Sequence, residues 1–243
     1  MFAVVTGGAS GIGYAVAVHL AERGWRLAVL DNNNSGLQAL EREVGSHHEF
    51  KCVDVADSEA LQDCANEFDS SGVGIDLLFV NAGIARPDSL DADESVWTET
   101  IAINLTGTVR TARAFERFVG SGSGHGAIVL MASVLGLRGS GSMLSYSVSK
   151  AGIVGLATAL AQTCVQRGVT VNALAPGPIR TPLLEALSSD ETKQLASQVP
   201  LGRLGLTRDV AGAVEFFASV DASFITGQVL AIDGGLSSVA YWR

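Results

Sequence analysis

A tyrosine and a lysine stand four residues apart in "SYSVSK", Ser145 to Lys150, just ahead of a long apolar segment. On a helix that spacing puts a phenol and an ammonium group on one face. The pair alone decides nothing, because such spacings arise by chance, and its meaning has to come from the rest of the chain. Nearer the start, "TGGASGIG" places Gly7, Gly11 and Gly13 where a strand meets a helix. Glycine there allows positive φ and lets a diphosphate approach the helix N-terminus, where unpaired N–H groups and the helix dipole favour an anion. Asp31 closes the next strand, eighteen positions beyond Gly13. A carboxylate so placed can accept hydrogen bonds from an adenosine ribose. A 2′-phosphate would meet it as like charge against like charge, and neither Ser10 nor the "NNN" after Asp31 supplies a cation in compensation. NAD(H) is therefore expected over NADP(H).

The elements that must position these groups follow from periodicity. Short β-branched runs at 2–6, 26–30, 48–53, 75–81, 126–132, 169–175 and 228–232 read as strands. Helical patterns separate them near 12–23, 35–44, 58–69, 93–118, 146–167 and 207–219. Strict alternation predicts an α/β fold with parallel pairing, right-handed crossovers and helices on both faces of one sheet. No linker, repeat or low-complexity tract interrupts the pattern, so residues 1–243 are expected to form a single domain. The one long irregular connection, about 176–206, is the natural place for a substrate lid.

Composition narrows the function classes. With 47% hydrophobic and 17% charged residues among 243, the chain can bury a sizeable core. Its 25 acidic against 16 basic residues give a formal charge of -9, and the absence of a basic cluster argues against a nucleic-acid partner. Cys52, Cys64 and Cys164 form no CxxC or His-linked pattern, which points to a reducing compartment and no structural metal. Met1 to Ala21 carries no Lys, Arg, Asp or Glu, but the polar "TGGASG" breaks it, unlike a secretory signal. The uncharged run from Ala151 to Gln166 is shorter than the roughly 20 residues of a bilayer span. A soluble, cytoplasmic protein with no membrane partner is expected.

Taken in order, "TGGASGIG", "VNAG" (80–83), Asn104, Ser133, "YSVSK" (146–150) and "PGPIRTP" (176–182) resemble the short-chain dehydrogenase/reductase family, over essentially the whole stretch from Ala3 to Gly235. The resemblance implies a Rossmann-type doubly wound sheet of about seven strands in the order 3-2-1-4-5-6-7. It implies that Tyr146 is the general acid/base and that Lys150, one turn along, favours the phenolate and hydrogen-bonds the nicotinamide ribose. It gives Ser133 the task of polarising the substrate carbonyl, and Asn104 that of holding a water in a proton relay. Cofactor contacts carried over in the same way are Gly7, Ser10, Gly11, Ile12, Gly13 and Asp31, then Asp54 and Val55 around the adenine, and Asn81, Ala82 and Gly83 along the ribose. Pro176, Gly177, Ile179 and Thr181 match the segment that meets the nicotinamide carboxamide. His19, His47, His48 and His125 fit no family position and read as surface or helix residues.

The implied activity is hydride transfer between NAD(H) and a secondary alcohol or ketone. An NADPH-dependent 3-oxoacyl carrier-protein reductase is the nearest alternative, and a non-catalytic dinucleotide sensor is the alternative of another class. Leu135, Met143 and Leu184 suggest an apolar substrate pocket, while Arg138 and Arg180 keep a carboxylate open. Family members usually pair through the helix after Tyr146 and the one carrying Asn104, so a homotetramer is expected before a dimer. Tyr241 and Trp242 at the chain's end suggest a tail packed at a subunit interface.

Overall fold

A computed structural model of the chain describes residues 1–121, 125–185 and 188–238. Seven strands alternate with helices: β1 (Phe2–Thr6), α1 (Gly11–Ala21), β2 (Arg26–Asp31), α2 (Asn34–Val44), β3 (Glu49–Cys52), α3 (Ser58–Ser71) and β4 (Leu77–Val80) form the first half. The second half runs α4 (Glu94–Ile101), α5 (Thr108–Phe115), β5 (Gly126–Met131), α6 (Val134–Arg138), α7 (Leu144–Cys164) and β6 (Val169–Pro176). It finishes with α8 (Pro182–Glu185), α9 (Ser189–Ser197), α10 (Thr207–Ala218) and β7 (Val229–Ile232). The seven strands form one parallel sheet in the order 3-2-1-4-5-6-7, as expected.

Residues on the central strands point alternately to the two faces, and both faces are apolar because helices cover both. Val4, Leu78 and Ile128 meet Leu61, Phe68 and Phe115 on one side, where Ile153 and Ala157 of α7 complete the core. Val5, Phe79 and Val129 face the other way, against Val16 and Leu20 of α1, Leu37 of α2, and Val210 and Phe217 of α10. A fully buried Leu or Phe of this kind contributes about 1.5–3 kcal/mol. Every strand therefore runs the same way, and the C-terminal ends of the inner strands open on one crevice beneath two helix layers.

Three local expectations are corrected. The stretch at 93–118 is not one regular helix: α4 passes into a π-helical segment, Ala102–Gly107, before α5 and a tight final turn, Glu116–Phe118. The connection at 176–206 is not irregular either. Ile179–Arg180 pairs in parallel with Gly205–Leu206, and α8 and α9 lie between them. The signal for α9 was present in the sequence, because Ser188 and Glu191 form a reciprocal capping box, while Ala186 and Leu187 lie outside the described residues. His48 is a core residue, 6% exposed, with Nδ1 accepting from the Leu27 amide at 3.3 Å. Burial first, then the neighbouring His47 and Arg26, push its pKa down.

By length and composition alone the stretch Leu144–Arg167 could cross a membrane, yet α7 within it packs against β6 and α6 of the domain. Tyr241 and Trp242 lie outside the described residues.

Candidate active site

The glycine turn is shaped by what a side chain would strike. Gly7 has φ +67°, and a Cβ there would fall 2.7 Å from the Ala82 Cα. At Gly13 it would fall 2.0 Å from the Gly7 carbonyl oxygen, and at Gly8 2.2 Å from Val29 Cγ1. These contacts press the turn after β1 against β2, α1 and the residues after β4, and no side-chain hydrogen bond closes the N-terminus of α1. Ser10 occupies the N-cap with an extended backbone, but no side chain caps the helix there. Asn81 braces the turn, donating from Nδ2 to the carbonyls of Thr6 and Gly7 at 3.1 and 3.0 Å.

Asp31 sits at the end of β2 with one oxygen accepting from the Ala9 amide (3.0 Å) and the other from the Asn33 amide (2.9 Å). Both bonds hold the carboxylate in one orientation and leave each oxygen a further lone pair. Asp54 accepts from the Ala56 amide at 2.8 Å, and Val55 beside it is buried.

These groups line one wall of a cleft of about 580 Å³. Gly7, Ser10, Gly11, Ile12, Asp31 and Asp54 lie along it at one end, with Val55. Asn81, Ala82 and Gly83 follow, and Tyr146 and Lys150 line it further on, while Thr181 stands across from Gly11, where a Cβ would meet its Cγ2 at 3.7 Å. One continuous crevice thus joins the anion cradle to the tyrosine and lysine. The volume is that of a small-molecule site, and a dinucleotide fits its lining of amides, hydroxyls and two carboxylates, Asp31 and Asp54.

The far end is built on α7. Lys150 is 3% exposed, its Nζ donating to the Met131 carbonyl at 2.8 Å and lying 5.6 Å from the centre of the Tyr146 ring. Burial lowers its pKa from 10.5 to about 8. Burial raises the phenol's pKa at Tyr146, and a hydrogen bond with Ser133 pulls it down. Ser133 itself lies two residues beyond β5, caps α6 by accepting from the Leu135 amide at 3.2 Å, and is buried.

Asn104 is fully buried in the π-helical segment, a distortion that recurs at functional sites. Its Oδ1 accepts from the Ile84 amide at 2.8 Å, and its Nδ2 donates to the Ile84 carbonyl at 2.9 Å and to Ser149 Oγ at 3.2 Å. Both amide protons are thus committed to protein groups. Gly83 separates this asparagine from the cleft: a Cβ there would approach Asn104 Oδ1 to 3.1 Å and Lys150 Nζ to 3.4 Å.

The remaining expected residues stand back from the cleft wall. Pro176 ends β6, Gly177 bonds to the Ile232 carbonyl at 3.0 Å, and Ile179 is buried in the core beside α10. Leu135, Met143 and Leu184 are half-buried and do not line the cleft. Sequence reasoning missed Ile84, Ala85 and Arg86, which do line it directly after "VNAG". Position alone could have found them, since they continue the turn that leaves β4.

Fold and site together define an oxidoreductase that uses a nicotinamide dinucleotide. A family model described as enoyl-(acyl carrier protein) reductase matches residues 7–237. The chain is 35% identical to a 3-oxoacyl-[acyl-carrier-protein] reductase of Escherichia coli, over 98% of this chain and 97% of the relative. It is 36% identical to the enzyme of the same description from Vibrio cholerae, over 96% of each. It is 40% identical to a cis-4-hydroxycyclohexanecarboxylate dehydrogenase of Sinomonas cyclohexanicum, over 98% of this chain and 96% of that one. The chain belongs to the short-chain dehydrogenase/reductase family.

Proposed function

We propose that the protein interconverts a secondary alcohol and a ketone with NAD(H), using Tyr146 as general acid/base. The observation that carries this reading is a buried ammonium, Lys150, one helical turn from a phenol hydrogen-bonded to Ser133, at the end of a cleft whose opposite end holds Asp31. A bound nicotinamide dinucleotide would supply or accept the hydride. Tyr146 takes the hydroxyl proton of the alcohol, or returns it to the ketone oxygen. Ser133 donates to that oxygen as charge develops on it. Lys150 holds positive charge behind the phenol and lies where a cofactor ribose would pass, while Asn104 fixes the loop at Ile84 over which both are reached.

The preference for NAD(H) rests on Asp31. Its carboxylate is pinned by two amides, and the adjoining lining residues, Ser10, Asn32 and Asn33, carry no charge to offset a 2′-phosphate. The glycine turn, the Asp54–Val55 pair, Asn81 to Gly83 and the Pro176–Thr181 segment are assigned to the same cofactor. Leu135, Met143 and Leu184 are assigned to the substrate. An alicyclic alcohol suits this apolar set, and the Sinomonas relative acts on a ring of that kind. Two bacterial relatives named as 3-oxoacyl-[acyl-carrier-protein] reductases favour a second reading, reduction of a 3-oxoacyl thioester.

The two readings separate in an absorbance assay with NADH and NADPH against cyclohexanone, its carboxylate derivative and acetoacetyl-CoA. Turnover of the ring ketones with NADH supports the first reading. Turnover of acetoacetyl-CoA with NADPH alone replaces it with the second. Absence of any turnover, with NADH still bound, would favour a dinucleotide sensor.

A homotetramer in the cytoplasm completes the proposal. Val148 on α7 is 43% exposed and Trp97 on α4 39% exposed, which leaves apolar surface on the two helices through which pairing is expected. The three cysteines are free thiols, in keeping with a reducing compartment. Sedimentation should return the tetramer mass, and a monomer would remove this part.

A further inference from the structure

The helix that carries Tyr146 and Lys150 begins without a cap of its own. Met143 occupies the N-cap of α7 and offers no side-chain acceptor to the first turn. The acceptor comes from 57 residues earlier: Asp88 Oδ2 takes the Ser145 amide proton at 2.9 Å, one position before Tyr146. The backbone joins at the same place, with the Asp88 amide donating to the Ser142 carbonyl at 3.0 Å and Asp88 bridged to Met143. A carboxylate at a helix N-terminus is favoured by the dipole and by the unpaired amides.

Asp88 is 8% exposed, and its second oxygen has no partner among the described residues, nor has the hydroxyl of Ser145. A serine or threonine would cap with one oxygen and bury no second one. The carboxylate is thus an expensive choice for a cap alone.

Its position in the chain gives it a further use. Ile84, Ala85 and Arg86 line the cofactor cleft, and Asp88 lies two residues beyond them. Asn104 grips the start of this strap through both backbone groups of Ile84 and reaches α7 through Ser149, whose hydroxyl donates to the Tyr146 carbonyl at 2.7 Å. Asp88 grips the other end. The strap from Ile84 to Asp88 is therefore tied to α7 at two points that bracket Tyr146, and one side of it forms the cleft.

We propose that Asp88 is a positioning residue for the transfer step: through the Ser145 amide it sets the first turn of α7, and with it the Tyr146 hydroxyl, relative to the cofactor cleft. This rests on the reading of Tyr146 as acid/base. It also assigns a mechanical link, by which a dinucleotide settling on Ile84 to Arg86 steadies the turn that carries the tyrosine.

Two measurements on the full-length protein test it. In the first, hydrogen exchange is followed across 144–150 with and without NADH. Bound NADH should slow exchange there in the wild type and in Asp88→Asn, whose amide oxygen still accepts from Ser145, but not in Asp88→Ala, with NADH affinity within about twofold in all three. Equal protection in Asp88→Ala overturns the link. In the second, kcat is compared on whichever ketone the wild type reduces. Asp88→Ala should lose about tenfold to a hundredfold in kcat with KM little changed, as expected for a misplaced reacting group, and Asp88→Asn should recover most of it. A lower Tm with unchanged kcat in Asp88→Ala would reduce the residue to an ordinary cap and overturn the proposal. Full turnover in Tyr146→Phe would instead remove the parent reading, and the exchange result would still report on the strap.

Discussion

The two ends of the cleft are built on opposite principles. At the glycine turn the working surface is backbone: amides of the first turn of α1 and the absence of Cβ atoms at Gly7, Gly8 and Gly13. At the α7 end it is side chains drawn from the turn after β5, the π-helical segment and α7, with a buried ammonium behind a half-buried phenol. The first end is constrained by volume, because a Cβ at Gly7, Gly8 or Gly13 would strike neighbouring atoms. The second is constrained by where each proton and charge resides. Burial is the reason: a desolvated charge responds to its surroundings far more than an exposed one.

The largest effect should come from the reactive end. Tyr146→Phe keeps the ring and its packing but removes the exchangeable proton, so kcat should fall by about a thousandfold, within the range for a general acid/base, while NADH affinity holds. Stopped-flow or steady-state turnover checks it, and near-normal kcat would break the contrast drawn above. Lys150→Met should abolish activity yet raise stability. Burial holds the folded pKa at about 8 against 10.5 unfolded, so the unfolded chain binds more protons between these values. The cost of burying the charge is complete below pH 8, at up to about 3 kcal/mol, and fades as pH rises toward 10.5. The Tm advantage of Lys150→Met at neutral pH should therefore shrink in alkaline buffer.

At the cradle end, Gly13→Ala places a Cβ 2.0 Å from a backbone oxygen, which no side-chain rotation can relieve. NADH affinity should fall about a hundredfold by fluorescence titration, a loss of about 2.7 kcal/mol. Unchanged affinity would mean that the turn can shift and that added volume is not its weak point. The smallest effect is expected from Asp31→Ala, which should narrow the ratio of kcat/KM for NADH over NADPH by about tenfold. A constant ratio would show that the carboxylate does not select.

How much could be read beforehand differed between the same two regions. The strand and helix alternation, the glycine turn, Asp31 and the Tyr146–Lys150 spacing are patterns within a few residues, where period and neighbour dictate the geometry. The sheet order followed the family resemblance and is observed. The segment 176–206 was misjudged because its two short strands pair only with each other, 26 residues apart, and two residues carry almost no periodic signal. His48 was expected on the surface or in a helix because a histidine between His47 and Glu49 gives no hint of the β2 amide it meets.

By itself the sequence determined the class of the fold, the place of the anion cradle and the helix face shared by Tyr146 and Lys150, because each depends on backbone propensities and spacings that act locally. Only the tertiary structure decided that Lys150 is desolvated, that Asn104 spends its amide on Ile84 and Ser149, and that the cap of α7 comes from Asp88. Those outcomes are set by which distant groups the sheet brings within hydrogen-bond distance and by how much water it excludes, and neither quantity is written in any short stretch of chain.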